Sequence, residues 1–119
     1  MPKKVKSITV EEARQINKEY GGAAFNESNV ESAIHMGRGK GLYTQIAYML
    51  RAMLVGHAYM DGNKRTGFAT AVVMLQKNGI ELKPEQKDEL SKQVAKMARK
   101  NIDNIGTIAR MVEYAVKGD

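Results

Sequence analysis

The chain has 119 residues, a formal net charge of +6 and no cysteine. A chain of this length is typical of one domain, which we expect to span residues 1–119, and the lack of cysteine excludes disulfide bonds, thiolate metal sites and cysteine nucleophiles. The positive charge favours polyanionic ligands or an acidic partner.

The first predicted helix begins after Thr9 and stops at Tyr20. In "TVEE" the Thr9 hydroxyl and the Glu12 carboxylate have the spacing of a capping box, and "YGG" is typical of a helix end. The preceding "MPKKVKS" leads into a polar segment rather than an apolar one, so we expect no secretory signal and a cytoplasmic location. No apolar run approaches about 18 residues, so no membrane partner is expected.

A short second helix fits "ESNVESAIHM" at 27–36, and "GRGKG" at 37–41 predicts an irregular segment or small turn. From Leu42 to about Gly56, apolar residues recur at steps of three and four, which predicts a third helix. Asp61 and Gly62 interrupt this pattern.

A fourth helix is predicted from near Asn63 to Asn78 and Gly79. It is apolar on most of its circumference, which is typical of a central, buried helix. Pro84 suits the first turn of a fifth helix, and apolar residues within 105–116 predict a sixth. Strand-like alternation is nearly missing, so the predicted fold is all-α, with about six helices around a central buried one.

The segment "HAYMDGNKR" at 57–65 joins the third and fourth helices. The amides of Gly62, Asn63, Lys64 and Arg65 fall in the first turn of a helix, where four N–H groups lack intrahelical partners and the helix dipole favours an anion. Two cations at that end are unfavourable for the helix itself. Their placement therefore predicts a phosphate-binding site.

Two further residues of this segment supply catalytic chemistry. Asp61 is a hard oxygen ligand, and one carboxylate plus substrate phosphate oxygens commonly holds Mg²⁺. Histidine is the residue type that most often acts as a general base, so His57 is suited to accept a proton from an attacking hydroxyl. A base, a metal ligand and cationic groups are the parts that phosphoryl transfer requires.

Each residue also has a structural alternative. His57 is suited to cap the preceding helix, Asp61 to cap the next one and Asn63 to form a turn, while Lys64 and Arg65 can be solvated. The segment lacks the glycine spacing of a Walker A loop and the ligands of an EF-hand. Basic residues elsewhere are scattered along helix faces, so we do not expect nucleic acid as a partner.

"HAYMDGNKRTG" resembles the signature of the Fic/Doc superfamily, His-Pro-Phe-x-(Asp/Glu)-Gly-Asn-(Gly/Lys)-Arg. The segments "ITVEEARQINKEYGG", "NVESAI" and "VVMLQKNGIEL" are similar to death-on-curing (Doc) toxins of toxin–antitoxin modules. The resemblance implies an all-helical Fic fold with the signature loop at the N-terminus of its central helix. It also implies Mg²⁺ and ATP as ligands.

The resemblance implies a role for each site residue. His57 is the general base, Asp61 holds Mg²⁺, Asn63 fixes the loop and the phosphates, and Lys64 and Arg65 bind the phosphates with the helix amides. In Fic adenylyltransferases glycine usually replaces Lys64, and a second arginine occupies the position of Phe68. Both departures are Doc-like and favour transfer of the γ-phosphate of ATP over AMP transfer.

The implied partners are a protein hydroxyl in the translation machinery, with elongation factor Tu as the family's expected target, and a cognate antitoxin. Tyr59 replaces the usual phenylalanine and can still anchor the loop. The target-docking flap, "HMGRGKGLY", is shortened, although Arg38 and Lys40 are suited to contact an acidic partner or the nucleotide. We assign His35 a structural or flap-associated role. A non-catalytic basic helical binding module is the alternative of another class.

Overall fold

Six α-helices make up the secondary structure that the computed structural model describes for residues 4–23 and 26–118. They are α1 (Val10–Glu19), α2 (Ser28–Gly37), α3 (Leu42–Leu54), α4 (Asn63–Lys77), α5 (Pro84–Arg99) and α6 (Ile105–Lys117). The predicted all-α class and number of helices are confirmed. Residues 1–3 of the basic N-terminal segment lie outside the described residues.

Local signals at the helix ends explain why the predicted boundaries are close to the observed ones. The Glu12 amide donates to Thr9 Oγ1 over 3.1 Å, and the Thr9 amide donates to Glu12 Oε1 over 2.9 Å, which completes the capping box of α1. Pro84 is in the first turn of α5. Asn104 caps α6 by accepting a hydrogen bond from the Thr107 amide.

The most buried helix is α3, not α4 as the sequence predicts. Eight of the thirteen α3 residues are buried, against six of the fifteen in α4. α3 packs against α2, α4, α5 and α6, whereas α1 covers part of α4. The prediction was wrong because half-buried residues such as Val72 and Val73 lie at the margin of the core, so the apolar character of α4 does not make it central.

The core lies between α3 and the helices around it. Its fully buried large side chains include Ile46, Leu50, Met53, Met74, Leu75, Leu90, Met97 and Ile108. A Cβ atom on Gly67 would lie 3.2 Å from Leu50 Cδ2, so glycine permits α4 to approach α3 closely. This packing holds the start of α4 and the loop before it at one end of the helices. Across the described residues, no helix combines the length and apolar character that a membrane crossing requires.

Glu12 of α1 and Lys77 at the end of α4 form an ion pair. This ion pair predicts a contribution to stability that is lost in acid. The pKa of the Glu12 carboxyl lies below its ordinary value of 4.5, chiefly because Lys77 donates a side-chain hydrogen bond and the Thr9 amide donates another. A carboxylate with a lowered folded-state pKa stabilises the fold above its unfolded-state pKa, and this contribution is lost as the pH falls through the folded-state value. We expect Glu12→Gln to flatten the decline in unfolding free energy below about pH 5, measured by urea denaturation across pH.

Lys77→Met provides the matched test because it removes the main partner of Glu12. Lys77→Met should remove most of the same decline in unfolding free energy below about pH 5. The double variant should show nearly the same dependence on pH as Glu12→Gln alone. If the unfolding free energy of Glu12→Gln declined with acid as steeply as that of the wild-type protein, the stabilising role of the Glu12–Lys77 ion pair would be contradicted.

Candidate functional site

An open cleft of about 510 Å³ lies where the loop between α3 and α4 meets the ends of α1 and α5. All of the predicted site residues line it, namely His57, Asp61, Gly62, Asn63, Lys64 and Arg65. Tyr20, Met60 and Asn101 also contribute to its walls. The structure thus brings one histidine, one carboxylate and two cations to the start of α4.

Asn63 holds the loop in place through both atoms of its amide. Its Nδ2 donates to the Tyr59 carbonyl over 2.7 Å, and its Oδ1 accepts from the Tyr59 amide over 3.1 Å. The Tyr59 side chain is only 1% exposed, and burial is the main reason that the pKa of its hydroxyl rises to about 12. Tyr59 is therefore an anchor of the loop, as predicted, and Asn63 is more than a turn residue.

Asn17 of α1 is a second support of the loop, and the sequence analysis missed it. This buried side chain donates from Nδ2 to the Asp61 carbonyl over 3.0 Å and to Thr66 Oγ1 over 2.9 Å. The available signal was an asparagine four residues after Ala13 on the apolar face of α1. A polar side chain at such a position is buried and requires partners.

Backbone hydrogen bonds of Ala58 and Met60 support the loop from its other side. The Met60 amide donates to the Ala23 carbonyl over 2.9 Å, and the Asn26 amide donates to the Ala58 carbonyl over 3.0 Å. The loop is therefore held by side chains and backbone from several directions.

The first turn of α4 differs from the prediction at Gly62. The Gly62 amide donates to Asp61 Oδ1 over 2.8 Å, so it is not available for a ligand in this arrangement. Gly62 itself is the N-cap residue of α4, which has no side-chain capping hydrogen bond, so Asp61 is not the N-cap. Among the hydrogen bonds of the described residues, the amides of Asn63, Lys64 and Arg65 have no acceptor. Three donors of the predicted phosphate cradle therefore remain.

Lys64 and Arg65 add two positive charges to this end of the helix. Both residues are exposed, and neither takes part in the ion pairs found within residues 4–23 and 26–118. The positive end of the helix dipole disfavours these cations, and no carboxylate within that part of the chain pairs with them. A bound anion would offset both effects.

His57 is exposed in the cleft and has a left-handed backbone conformation, with φ of 47°. This conformation is uncommon for a residue other than glycine and is often associated with functional sites. The alternative role as a helix cap is wrong: Val55 is the C-cap of α3, and the amides of Gly56 and Ala58 bond to the carbonyls of Arg51 and Ala52.

Three other candidate residues lie outside this cleft. His35 is on the last turn of α2, while Arg38 and Lys40 are in the turn that follows it. The Lys40 amide donates to the Gly37 carbonyl, which closes the turn directly before α3. The shortened flap segment is therefore a turn without a hairpin, and it does not bring these cations to the site.

The carboxylate of Asp61 is compatible with a magnesium ion that arrives with phosphate. No group of three or more histidine, aspartate or glutamate side chains suited to a metal occurs in the described part of the chain. Asp61 uses Oδ1 to accept from Gly62, and its carboxylate remains exposed. Mg²⁺ is often held by one or two carboxylates together with substrate phosphates and water, so this donor set fits that mode of binding.

Gly62 is required by its conformation and by its surroundings. Its φ is 73°, and a Cβ atom there would lie 3.1 Å from Tyr20 Cβ and 3.3 Å from the Tyr20 carbonyl. We expect Gly62→Ala to lower the free energy of unfolding by about 1–3 kcal/mol, measured by chemical denaturation.

Gly79→Ala is the matched control for this substitution. Gly79 has a similar φ of 83°, and no atom lies within 4 Å of the position of its Cβ. The excess loss of stability in Gly62→Ala then measures the close contact with Tyr20. Equal losses would mean that the conformation alone requires glycine.

The amino-acid sequence was compared with models of known protein families and with curated proteins. It matches no family model and none of the curated proteins.

Proposed function

We propose that the protein is a Fic/Doc-type toxin that transfers the γ-phosphate of ATP to a hydroxyl of a protein in the translation machinery. One observation carries this proposal: three unpaired amides and two cations without carboxylate partners in the described chain share a cleft with His57 and Asp61. Phosphate binding and general base catalysis are the functions that these groups support best. Elongation factor Tu is the target that the resemblance implies.

In this proposal the start of α4 binds the triphosphate. The amides of Asn63, Lys64 and Arg65 donate to phosphate oxygens, and the two side chains neutralise their charge. Asn63 also keeps the loop in place, because both of its amide atoms are bonded to Tyr59. Mg²⁺, when bound by Asp61 and phosphate oxygens, supplies additional neutralisation of negative charge.

His57 accepts the proton of the target hydroxyl as its oxygen attacks the γ-phosphorus. A new bond forms between that oxygen and phosphorus, and the bond from phosphorus to the β,γ-bridging oxygen breaks. ADP leaves with this electron pair, and the target retains the phosphate. The exposed position of His57 leaves it accessible to a large protein substrate.

The six helices, with a signature segment that leads into the first turn of α4, are compatible with the proposed Fic fold. A cognate antitoxin completes the proposal. The net charge of +6 favours an acidic antitoxin through electrostatic complementarity. A cytoplasmic location follows from a target in translation.

Two other functions remain as alternatives to test. An AMP transferase would use the same cleft with the α-phosphate at the reacting position. Lys64 at the usual glycine position, and Phe68 where the second arginine is expected, favour γ-phosphate transfer. A non-catalytic binding module is favoured only by the turn that replaces the flap hairpin.

Incubation with purified elongation factor Tu and with a translation extract distinguishes these functions. Parallel reactions contain Mg²⁺ and ATP labelled at either the γ- or the α-phosphate, and mass spectrometry locates the modification. We expect label only from the γ-position and a mass increase of one phosphate. Label from the α-position would establish AMP transfer instead. No modification of any protein, despite a folded enzyme, would contradict both enzymatic functions.

A further inference from the structure

The start of α2 holds the main chain on both sides of His57. Asn29 Nδ2 donates to the Gly56 carbonyl over 3.0 Å, and Asn26 Nδ2 donates to the same oxygen over 3.4 Å. The main-chain amide of Asn26 donates to the Ala58 carbonyl over 3.0 Å. The carbonyls immediately before and after His57 therefore both accept hydrogen bonds from this segment.

The end of α3 holds the same two residues through their amides. The Gly56 amide donates to the Arg51 carbonyl over 3.0 Å, and the Ala58 amide donates to the Ala52 carbonyl over 3.2 Å. His57 lies between these fixed peptide groups with φ of 47°, a conformation that persists only where the surrounding structure enforces it. The hydrogen bonds from α2 and α3 supply that enforcement and fix the direction of the Cα–Cβ bond of His57.

Asn29 approaches the Gly56 main chain closely because glycine has no side chain. A Cβ atom on Gly56 would lie 2.8 Å from Asn29 Nδ2. Asn29 does not line the cleft that contains His57, and instead it lines a separate cavity of about 360 Å³ together with Gly56. Its side chain is thus behind the loop, where it acts on His57 only through the peptide group that joins Gly56 to His57.

We propose that Asn29, supported by Asn26, is a positioning residue that holds His57 where its imidazole accepts the proton of the target hydroxyl. The proton transfer rests on the proposed function, whereas the fixed main chain of His57 rests on the hydrogen bonds to Gly56. A misplacement of about 1 Å, caused by a substitution away from the reacting atoms, can lower a rate by about 100-fold. Water can replace the lost donor at the half-buried Gly56, so variants of Asn29 should still fold.

Kinetics of γ-phosphate transfer by Asn29→Ala test this role. We expect kcat to fall about 10- to 100-fold, while KM for MgATP changes by less than about twofold because the phosphate-binding groups are unchanged. Asn29→Asp has nearly the same shape, but its ionised carboxylate cannot donate a hydrogen bond, so its loss of kcat should be as large. In a His57→Ala background, Asn29→Ala should lower the residual rate by less than about twofold, because the residue that it positions is gone.

NMR relaxation of the His57 amide measures the same role without any substrate. The order parameter should be close to about 0.85 in the wild-type protein and below about 0.6 in Asn29→Ala, the values of rigid and flexible main chain.

Ser32→Ala is the matched control for Asn29→Ala. Ser32 is three residues farther along α2, is exposed and lines the same cavity as Asn29. This variant should keep the wild-type kcat and the wild-type order parameter of His57. Circular dichroism and thermal melting verify that each variant is folded.

The outcomes separate the role of Asn29 from the proposed function. A wild-type order parameter of His57 in folded Asn29→Ala, or a mobile His57 with normal kcat, would overturn the positioning role. An equal loss of rate from Asn29→Ala with and without His57 would also overturn it. Failure of the wild-type protein to transfer phosphate would overturn the proposed function, while the order parameters would still decide whether Asn29 holds His57.

Discussion

Replacing His57 by alanine is expected to reduce γ-phosphate transfer by at least about 100-fold, the scale typical of losing a general base. His57 is in the same cleft as the three α4 amides that have no acceptor among the described residues, and its main chain has φ of 47°. In the proposed reaction, loss of the imidazole leaves the target hydroxyl without a proton acceptor. Binding of MgATP should change by less than about threefold, since His57 is not among the groups proposed to hold phosphate.

The second histidine of the chain provides the control. His35 is exposed on the last turn of α2 and does not line the cleft, so His35→Ala should transfer phosphate at the wild-type rate. Initial rates with labelled ATP and purified target give the comparison. Near-normal turnover of His57→Ala would remove this residue from the mechanism, and equal losses in both variants would indicate a general effect of removing histidine.

Asn63→Ala is expected to lower the free energy of unfolding by about 2–4 kcal/mol and to abolish detectable phosphate transfer. The substitution removes Asn63 Oδ1, which accepts from the Tyr59 amide over 3.1 Å, and Asn63 Nδ2, which donates to the Tyr59 carbonyl over 2.7 Å. Because Tyr59 is 1% exposed, these groups are poorly placed to bond with water instead. An unsatisfied buried backbone group costs about 1–3 kcal/mol.

Asn104→Ala is a suitable control because Asn104 also supports the start of a helix. Its Oδ1 accepts from the Thr107 amide at the start of α6, and it does not line the cleft. Loss of this cap should cost about 1 kcal/mol without changing transfer per folded molecule. Urea denaturation gives the stabilities, and rates are compared where both variants are folded. An Asn63→Ala variant with lowered stability and normal transfer would show that the loop need not be held for catalysis.

The predictions that failed required information from other parts of the chain. The apolar composition of α4 predicted a central helix, yet α3 is more buried because four helices pack around it. The free Gly62 amide was predicted from helix geometry alone, which does not reveal its hydrogen bond to Asp61 Oδ1. In both cases, the neighbours of a residue determine its role.

The residues that support the site also depend on neighbours that are distant in the chain. Asn17 is 44 residues away from Asp61 in the chain, yet its side chain bonds to the Asp61 carbonyl. Asn101 reaches the cleft from the segment after α5. Neither residue belongs to the signature segment, so a motif search does not find them.

The amino-acid sequence alone determined the six helices, most of their ends and the candidate site residues between His57 and Arg65. These features depend on capping, periodicity and turn chemistry, which act between residues within a few positions of one another. Only the tertiary structure decided which helix is central and how Asn17 and Asn29 support the loop. These features depend on how the helices pack to bury their apolar faces, and packing brings together residues that are distant in the chain.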